Sequence, residues 1–288
     1  MGKSRLSDRG NKLLVWIALV ILSFPALLPA AWMVSTSLKG DTQVFAAGGK
    51  TAPPVSLASL IPKPIVVKNY PDALQAIPLR TYLRNTAFLC IVNITGAVLS
   101  SSIVAYGFAR MRFFGKEVLF LVMIATLAVP EQVTMVPVFA LYRALGWYGT
   151  YLPLTAPTFF GVPFFIFLLT QFFKTLPEEM AEASRLDGAS EWKIFTRVML
   201  PLSKPALATC ALFQFMGTWN DFQGPLLYLN DPQKYTLAYG LQQFMSKNGG
   251  QWLMLMAAAT VFTLPVIVVF FLAQKTFIQG IATTGGKS

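Results

Sequence analysis

Residues 13–34, LLVWIALVILSFPALLPAAWMV, form an uncharged apolar run. About 20 mostly apolar residues are enough for one helix to cross the hydrocarbon core of a bilayer. Basic residues lie just before this run, at Lys3, Arg5, Arg9 and Lys12. Such a beginning is also typical of a signal peptide, but the run exceeds the usual apolar length of about 7–15 residues and no small-residue cleavage site closes it cleanly. We therefore interpret it as a membrane span that is retained.

Five more apolar runs follow, at 85–109, 118–139, 151–173, 205–228 and 252–274. The chain is 55% hydrophobic and 12% charged, with mean hydropathy +0.58, whereas a soluble domain carries about 25% charged residues. The runs are continuous rather than alternating every second residue, which disfavours a transmembrane barrel. Prolines interrupt several of them, at Pro25, Pro130, Pro163 and Pro265. The sequence predicts an all-α integral membrane protein with six transmembrane helices, because a membrane bundle tolerates such kinks.

The charge and the residue types exclude several function classes. The formal net charge is +11, but the basic residues cluster between apolar runs, so we expect membrane topology rather than a nucleic-acid partner to explain it. The chain has no histidine, which removes the usual Ser/His and Cys/His catalytic pairs. Cys90 and Cys210 lie inside apolar runs and are interpreted as small buried hydrophobes. We expect neither a catalytic residue nor a metal site.

Lysine and arginine favour the cytoplasmic side of a membrane, and their distribution predicts the orientation. The short loop MRFFGK at 111–116 must face inward, and the segment at 174–204 is also rich in basic residues. We therefore predict an N-in, C-in topology within a single transmembrane domain over residues 1–288. Its parts outside the bilayer are an extracytoplasmic loop at 35–84, a cytoplasmic loop at 174–204 and a cytoplasmic tail at 275–288. The outer loop is rich in Pro, Gly and Ser, which predicts irregular structure.

The inner segment at 176–201, LPEEMAEASRLDGASEWKIFTRVMLP, is typical of two short helices around a glycine turn. Pro177 suits the first helical position, Gly188 a left-handed C-terminal cap, and Ser190 an N-terminal cap of the second helix. An apolar stripe recurs at helical spacing at Trp192, Phe195 and Met199. Three interpretations stay open on physical grounds: a helix lying on lipid headgroups, packing against the protein's own inner ends, or docking of a soluble partner.

This segment resembles the signature of binding-protein-dependent ABC importer permeases. The signature is Glu-Ala-Ala, three residues, Gly, nine residues, Ile, any residue and Leu-Pro. The chain has Glu182-Ala183-Ser184, three residues, Gly188, nine residues and then Val-Met-Leu-Pro at 198–201. It departs from the pattern at Ser184, which replaces the second alanine, and at residue 198, where valine replaces isoleucine.

Other stretches resemble the carbohydrate importers of maltose type, and in particular their second permease subunit. They are AYGFARMRFFGK at 105–116, WNDF at 219–222, PLLYL at 225–229 and the tail FIQGIATTGGKS at 277–288. The resemblance implies a coupling helix that sits in a cleft of a separate cytoplasmic ATPase subunit and moves when the ATPase pair closes on ATP. The coupling residues implied are Glu182, Ala183, Ser184, Asp187, Gly188, Trp192 and Pro201.

The same resemblance implies the partners and the location. The partners are a second permease subunit, two ATPase subunits, an extracytoplasmic solute-binding protein, membrane lipid and a sugar substrate, in a bacterial inner membrane. GGKS at 285–288 matches only the end of a phosphate-binding loop and lacks its upstream glycine. We therefore expect this chain to bind no cofactor and to hydrolyse no ATP, with ATP and Mg used by the partner ATPase.

Polar residues inside spans are costly and often functional, which makes Trp219, Asn220, Asp221 and Glu131 the candidates for the substrate path. Aromatic faces, amides and carboxylates suit a sugar. The alternative is that 219–221 only cap or pack the fifth span, and that Glu131 marks a gate or kink beside Pro130. The leading function is a sugar importer permease. The alternatives are a permease for another small polar solute, a stand-alone secondary transporter or a membrane enzyme.

Overall fold

The computed structural model describes residues 5–44, 57–246 and 251–284, and every regular element in these ranges is helical. The helices are, in chain order, α1 (Arg5–Ser37), α2 (Asp41–Val44), α3 (Asn69–Ala76), α4 (Leu79–Arg110), α5 (Lys116–Thr126), α6 (Glu131–Ala144), α7 (Leu152–Thr155), α8 (Pro163–Thr175), α9 (Glu179–Leu186), α10 (Glu191–Ile194), α11 (Leu200–Leu202), α12 (Lys204–Trp219), α13 (Gln223–Tyr228), α14 (Leu237–Ser246) and α15 (Trp252–Thr284). Shorter turns are 3₁₀ at Leu57–Leu60, Ala156–Phe160 and Pro232–Lys234, and π at Phe195–Met199.

In the part of the chain that the structure describes, four helical segments are long and apolar enough to cross a membrane, or up to six if each bent helix pair forms one span. The four helical segments that are each long and apolar enough are Leu14–Ser37, Leu79–Arg110, Leu152–Thr175 and Trp252–Gln274. They cover the predicted first, second, fourth and sixth spans. The apolar window of the first has no buried residue, which suits a helix whose surroundings are lipid.

The predicted third span, 118–139, is broken rather than straight. α5 ends at Thr126, α6 begins at Glu131, and the two helices are bent by 97°. Pro130 stands at the break in an extended conformation. Proline disfavours helical backbone in the residue before it and cannot donate an amide hydrogen bond, so the helix restarts after it.

The predicted fifth span, 205–228, is also interrupted. α12 ends at Trp219 and α13 begins at Gln223, so three residues between them leave the helix. Before α12, the segment Glu191–Leu202 is bent by 78° from Lys204–Trp219. The predicted helix therefore becomes two pieces, and Asp221 lies in the gap between them.

The chain divides into two compact units. The first comprises Met1–Pro78 with Leu241–Leu264, and the second comprises Leu79–Gly240 with Pro265–Ser288. In the first unit, the amide of Asn69 at the start of α3 donates to the carbonyls of Ser37 (2.9 Å) and Lys39 (2.8 Å). These bonds tie α3 to the end of α1 and satisfy carbonyls that the end of a helix leaves unpaired.

The outer loop predicted at 35–84 is less irregular than expected. It holds α2, a 3₁₀ turn, α3 and the beginning of α4, which starts at Leu79. Residues 45–56 of this loop lie outside the described residues. At the other end of the chain α15 continues to Thr284, so the tail predicted at 275–288 begins as a helix, and residues 285–288 also lie outside the described residues.

The core of the second unit forms where α4, α8 and α12 pack together. Its buried side chains include Ala97, Tyr106, Leu169, Phe173 and Cys210, each at most 5% exposed. Gly96 permits α4 to approach the 3₁₀ turn at 156–160 closely, because a Cβ there would lie 2.6 Å from Thr158 Oγ1 and 2.8 Å from the ring of Phe159. Cys90 and Cys210 are both buried, as predicted.

Candidate functional site

The turn of the 176–201 hairpin is closed by a Schellman motif. Gly188 has φ +75°, its N–H donates to the Arg185 carbonyl (3.0 Å), and the N–H of Ala189 donates to the Ser184 carbonyl (3.0 Å). A Cβ at Gly188 would meet nothing within 4 Å, so only the backbone conformation demands glycine there. The predicted left-handed cap is confirmed.

The second arm of the hairpin begins as predicted and then changes its winding. Ser190 Oγ accepts from the Lys193 N–H at 3.4 Å and caps α10. The chain then passes through the π turn Phe195–Met199, a form of helix that occurs mostly as single turns and frequently at functional sites. The first arm differs slightly from the prediction, because α9 begins at Glu179 and Pro177 lies before it.

The apolar stripe of the hairpin is divided between two surroundings. Phe195 is 3% exposed and Met199 1%, whereas Trp192 is 62% exposed. The Phe195 ring lies 5.2 Å from that of Tyr106 on α4. Two members of the stripe therefore anchor the hairpin on the protein's own core, and the third is left on the surface.

Polar contacts reinforce this anchor. The Glu191 carboxylate accepts from the Tyr106 hydroxyl at 2.5 Å and from Arg185 Nε at 2.7 Å. The hydrogen bond to Glu191 raises the pKa of the Arg185 guanidinium above its usual value. Glu191 thus joins both arms of the hairpin to α4. The sequence reasoning did not identify this link, since its partners lie far apart along the chain.

Arg110 at the end of α4 supports the entry to the hairpin. Its guanidinium donates to the carbonyls of Phe173 (2.8 Å) and Leu176 (2.6 Å), which end α8. A cation that satisfies the last carbonyls of a helix also complements the helix dipole. No local pattern predicts these contacts, because Arg110 and the two carbonyls lie more than 60 residues apart along the chain.

Most of the signature residues face away from the core. We define the outer face of the hairpin by its exposed members Glu182, Ala183, Leu186, Asp187 and Trp192. Pro201 is exposed as well, and Ser184 is half-buried, with its hydroxyl donating to the Met180 carbonyl (2.8 Å). Leu186 is 90% exposed, so an apolar side chain stands at the tip. Exposed apolar side chains flanked by charged ones, on a segment that is anchored to the core, suit contact with a protein partner or with a membrane surface.

A cavity of about 660 Å³ lies within residues 79–240. Its polar and aromatic lining residues are Asn93, Glu131, Thr134, Tyr142, Thr158, Gln214, Thr218, Asp221, Gln223 and Tyr228. They come from α4, α6, α12, α13, the 3₁₀ turn at 156–160 and, for Asp221, the gap between α12 and α13. A volume of this size with a few convergent polar groups is typical of a small-molecule site.

Both acidic residues of the cavity stand at helix breaks. Glu131 occupies the first turn of α6, just after Pro130. Asp221 lies between α12 and α13, and its Oδ1 accepts from the Gly224 N–H at 2.9 Å. The breaks in the third and fifth predicted spans therefore bring two candidate residues to one cavity.

The other two substrate-path candidates, Trp219 and Asn220, are not among the described residues that line this cavity. Trp219 is buried, with its ring 5.3 Å from that of Phe215. The Asn220 amide donates to the Met216 carbonyl (2.8 Å) at the end of α12. They occupy packing and capping positions, and their role in a substrate path stays a prediction.

Internal hydrogen bonds hold the polar wall of the cavity. Asn93 Nδ2 and Gln214 Nε2 both approach Thr218 Oγ1, at 3.3 and 3.1 Å. Gln223 Nε2 approaches Met135 Sδ at 3.0 Å. The aromatic members were not found from the sequence, because no local pattern around either tyrosine distinguishes a cavity wall from a lipid-facing ring.

The family described as "Binding-protein-dependent transport system inner membrane component" matches residues 97–283, and the chain belongs to this family. This chain is a multi-pass membrane protein and an ABC importer permease. A relative named osmoprotective compounds uptake permease protein GgtD, from Synechocystis, is 31% identical over 99% of this chain and 95% of its own length. The arabinooligosaccharides transport system permease protein AraQ of Halalkalibacterium halodurans is 29% identical, over 95% of this chain and 96% of its own.

A solved structure is similar over nearly the whole chain. It is a bacterial ABC transporter involved in the import of the acidic polysaccharide alginate, with a TM-score of 0.76 and 25% identity. The match covers 96% of this chain and 99% of that one. The named relatives are permease proteins, which are transport components rather than catalytic subunits.

Proposed function

We propose that this chain is one of two permease subunits in an ATP-driven importer for a sugar or an oligosaccharide. The observation that carries the proposal is the hairpin, whose outer face is exposed while Phe195 and Met199 are buried in the core. The names of AraQ and of the alginate importer favour a carbohydrate as substrate. The polar and aromatic lining of the cavity supports the same class of solute.

In this proposal a separate ATPase subunit, which uses ATP and Mg, binds the outer face of the hairpin. The coupling residues are Glu182, Ala183, Ser184, Asp187, Gly188, Trp192 and Pro201. When the ATPase pair closes, the hairpin is displaced, and Glu191 passes the displacement to Tyr106 on α4. Asn93 in the cavity wall belongs to the same helix and lies about 20 Å from Tyr106, at a rise of about 1.5 Å per residue. One rigid helix thus connects the docking surface with the solute cavity.

The remaining parts of the proposal concern topology and partners. The chain crosses the membrane six times with both ends in the cytoplasm, α5 with α6 forming the third span and α12 with α13 the fifth. A second permease subunit completes the path, since one such bundle is too small to enclose it. A solute-binding protein delivers the sugar on the outer side. The solute path includes Glu131 and Asp221 in the cavity wall.

Affinity purification of the tagged full chain from its native membrane tests this function. We expect a second permease and an ATPase subunit to copurify, and the complex in proteoliposomes to take up sugar only with ATP and the binding protein. The variant Glu182→Ala should lower the recovery of the ATPase subunit, whereas Glu117→Ala, an exposed acid outside the hairpin, should not. Proton- or sodium-driven uptake by the purified chain alone would refute the proposal.

A further inference from the structure

The lining of the cavity is one-sided in charge. Glu131 and Asp221 contribute carboxylates, and among the described residues around the cavity none is a lysine or an arginine. In a concave site with low-dielectric walls, charges of one sign focus the field and change the local concentration of charged solutes. The cavity therefore favours cations over anions if both carboxylates are ionised.

Each lining amide donates one hydrogen bond to another residue of the cavity wall. Asn93 Nδ2 and Gln214 Nε2 approach Thr218 Oγ1, and Gln223 Nε2 approaches Met135 Sδ. An amide that directs its nitrogen to a protein partner directs its oxygen elsewhere. Each of these amides keeps its second N–H as a donor and offers a solute its carbonyl oxygen as an acceptor.

The threonine hydroxyls follow the same rule. Thr134 and Thr158 each donate to a backbone carbonyl three residues earlier, at 3.0 and 2.7 Å. A hydroxyl that donates its single proton in this way can only accept from a solute. The hydroxyls of Tyr142, Tyr228 and Thr218 remain as donors beside the free amide N–H groups. The carboxylates add only acceptors, so acceptor oxygens outnumber donors on the cavity wall.

One acceptor is also left without a partner. Asn93 is 5% exposed, and its buried Oδ1 has no hydrogen-bond partner among the residues that the structure describes. A buried polar atom without a partner is costly, and turning Oδ1 toward the cavity would let it accept from a solute hydroxyl or ammonium. A solute carboxylate brings only lone pairs and leaves the atom unsatisfied.

We propose that Glu131 and Asp221 make this cavity selective for neutral or cationic solutes that are rich in hydrogen-bond donors, and against acidic ones. The proposal rests on the proposed function only in taking the cavity as part of the solute path. It separates this chain from its structural neighbour, which is described as an importer of an acidic polysaccharide. Neutral sugars and amino sugars fit the wall, whereas uronic acids do not.

The electrostatic potential in the cavity can be measured without knowing which solute the protein carries. Gly217 lines the cavity, and a Cβ there meets nothing within 4 Å, so Gly217→Cys introduces a thiol without a clash. The probes are a cationic trimethylammonium-ethyl and an anionic sulfonatoethyl methanethiosulfonate, applied to the full complex in membrane vesicles. Each labelling rate is divided by the rate with 2-mercaptoethanol. The chain without Gly217→Cys gives the background, because its own two thiols are buried.

We expect the normalised rate to be about 10-fold higher for the cationic probe than for the anionic one, the lower end of what field focusing in a cleft produces. The double variant Glu131→Gln with Asp221→Asn should reduce this ratio at least about fivefold. Both amides keep the size of the acid, and an asparagine at 221 still accepts from the Gly224 N–H. Glu117→Gln is the matched control, since Glu117 is exposed at the first turn of α5 and should leave the ratio unchanged.

A ratio near one in the parent, or an unchanged ratio in the double variant, would overturn the charge selectivity. Uptake of neutral cellobiose and of its uronic acid counterpart is measured on the same vesicles. Sugar uptake with equal labelling by both probes would leave the importer function standing and refute this inference alone. A persisting ratio without uptake of any sugar would support the charge selectivity and count against sugar import.

Discussion

The hairpin and the cavity are built from the sequence in opposite ways. The hairpin takes its shape from neighbours in the chain: the Schellman turn at Gly188 and the Ser190 cap each need only a few adjacent residues. The cavity gathers its wall from helices that are distant in sequence, and its two acids meet because two spans are broken. A surface that must fit a protein partner can thus be encoded by a short motif, whereas a surface that surrounds a solute depends on the packing of the whole bundle.

The two regions share one helix. α4 carries Tyr106, which bonds Glu191 of the hairpin, and Asn93, which lines the cavity. Substitutions in the hairpin and in the cavity distinguish three roles: anchoring of the hairpin on the core, docking of the partner, and contact with the solute. They therefore test whether the two regions act as different kinds of surface.

The largest expected effect comes from the two rings of the apolar stripe, which lie 5.5 Å apart. Phe195→Ala should destabilise the chain by about 3–5 kcal/mol, because it empties a buried position. Trp192→Ala should leave stability almost unchanged and reduce recovery of the ATPase subunit. Thermal unfolding in detergent, with copurification of partners, distinguishes the two. Equal destabilisation by both would show that Trp192 also belongs to the core.

The next largest effect is expected at the turn. Gly188→Val should lower uptake at least about 10-fold, because a β-branched residue at positive φ distorts the tip of the hairpin. Gly188→Asn is the control, since asparagine tolerates the left-handed conformation at a cost below about 1–2 kcal/mol. ATP-dependent uptake by proteoliposomes is the measurement. Similar losses in both variants would mean that the side chain, not the backbone, is what the site excludes.

A smaller effect is expected in the cavity. A Cβ at Gly224 would lie 2.5 Å from Asp221 Oδ2 and 2.7 Å from Leu154 Cδ2, whereas one at Gly217 meets nothing within 4 Å. Gly224→Ala should therefore move the Asp221 carboxylate and slow uptake several-fold, and Gly217→Ala should not. Initial uptake rates at saturating and at low sugar concentration show whether affinity or turnover changes. An unchanged rate in Gly224→Ala would place Asp221 outside the solute path.

The smallest effect is expected for the polar link. Tyr106→Phe and Glu191→Gln should each weaken the attachment of the hairpin without removing it, because Phe195 and Met199 stay buried. Glu191 and Arg185 are 38% and 36% exposed, so solvent screening limits the contribution of their ion pair to about 0.2–1 kcal/mol. Transport-linked ATP hydrolysis, measured in the two single variants and in the double variant, gives the coupling energy between Tyr106 and Glu191. Additive losses would show that the 2.5 Å hydrogen bond carries no coupling.

The hairpin could be predicted from the sequence because its signals are local. The cap at Gly188 and the cap at Ser190 follow from residue preferences at fixed positions of a helix. Which members of the apolar stripe are buried could not be predicted. Helical spacing places Trp192, Phe195 and Met199 on one face, but it does not indicate how much of that face the core covers. The bond between Tyr106 and Glu191 joins residues that are distant in the sequence and has no local signal.

The acids of the cavity were identified one by one, but not as a pair. Their position inside apolar runs made Glu131 and Asp221 conspicuous, since such residues are costly in a bilayer. Apolarity alone could not show that both runs are broken, although Pro130 marks the first break. The same argument selected Trp219 and Asn220, which the structure places against Phe215 and the end of α12.

The empty space beside Gly217 bears on the size of the solute that the cavity can hold. The absence of a side chain there widens the cavity without leaving any neighbour in strained contact. Alanine is too small to obstruct the cavity, but valine and then leucine at this position would narrow it in steps, while the hairpin and both acids keep their places. In the proposed importer the side chain at position 217 can therefore set an upper limit to the width of the solute. This limit is independent of the charge of the solute and of the energy that the partner supplies.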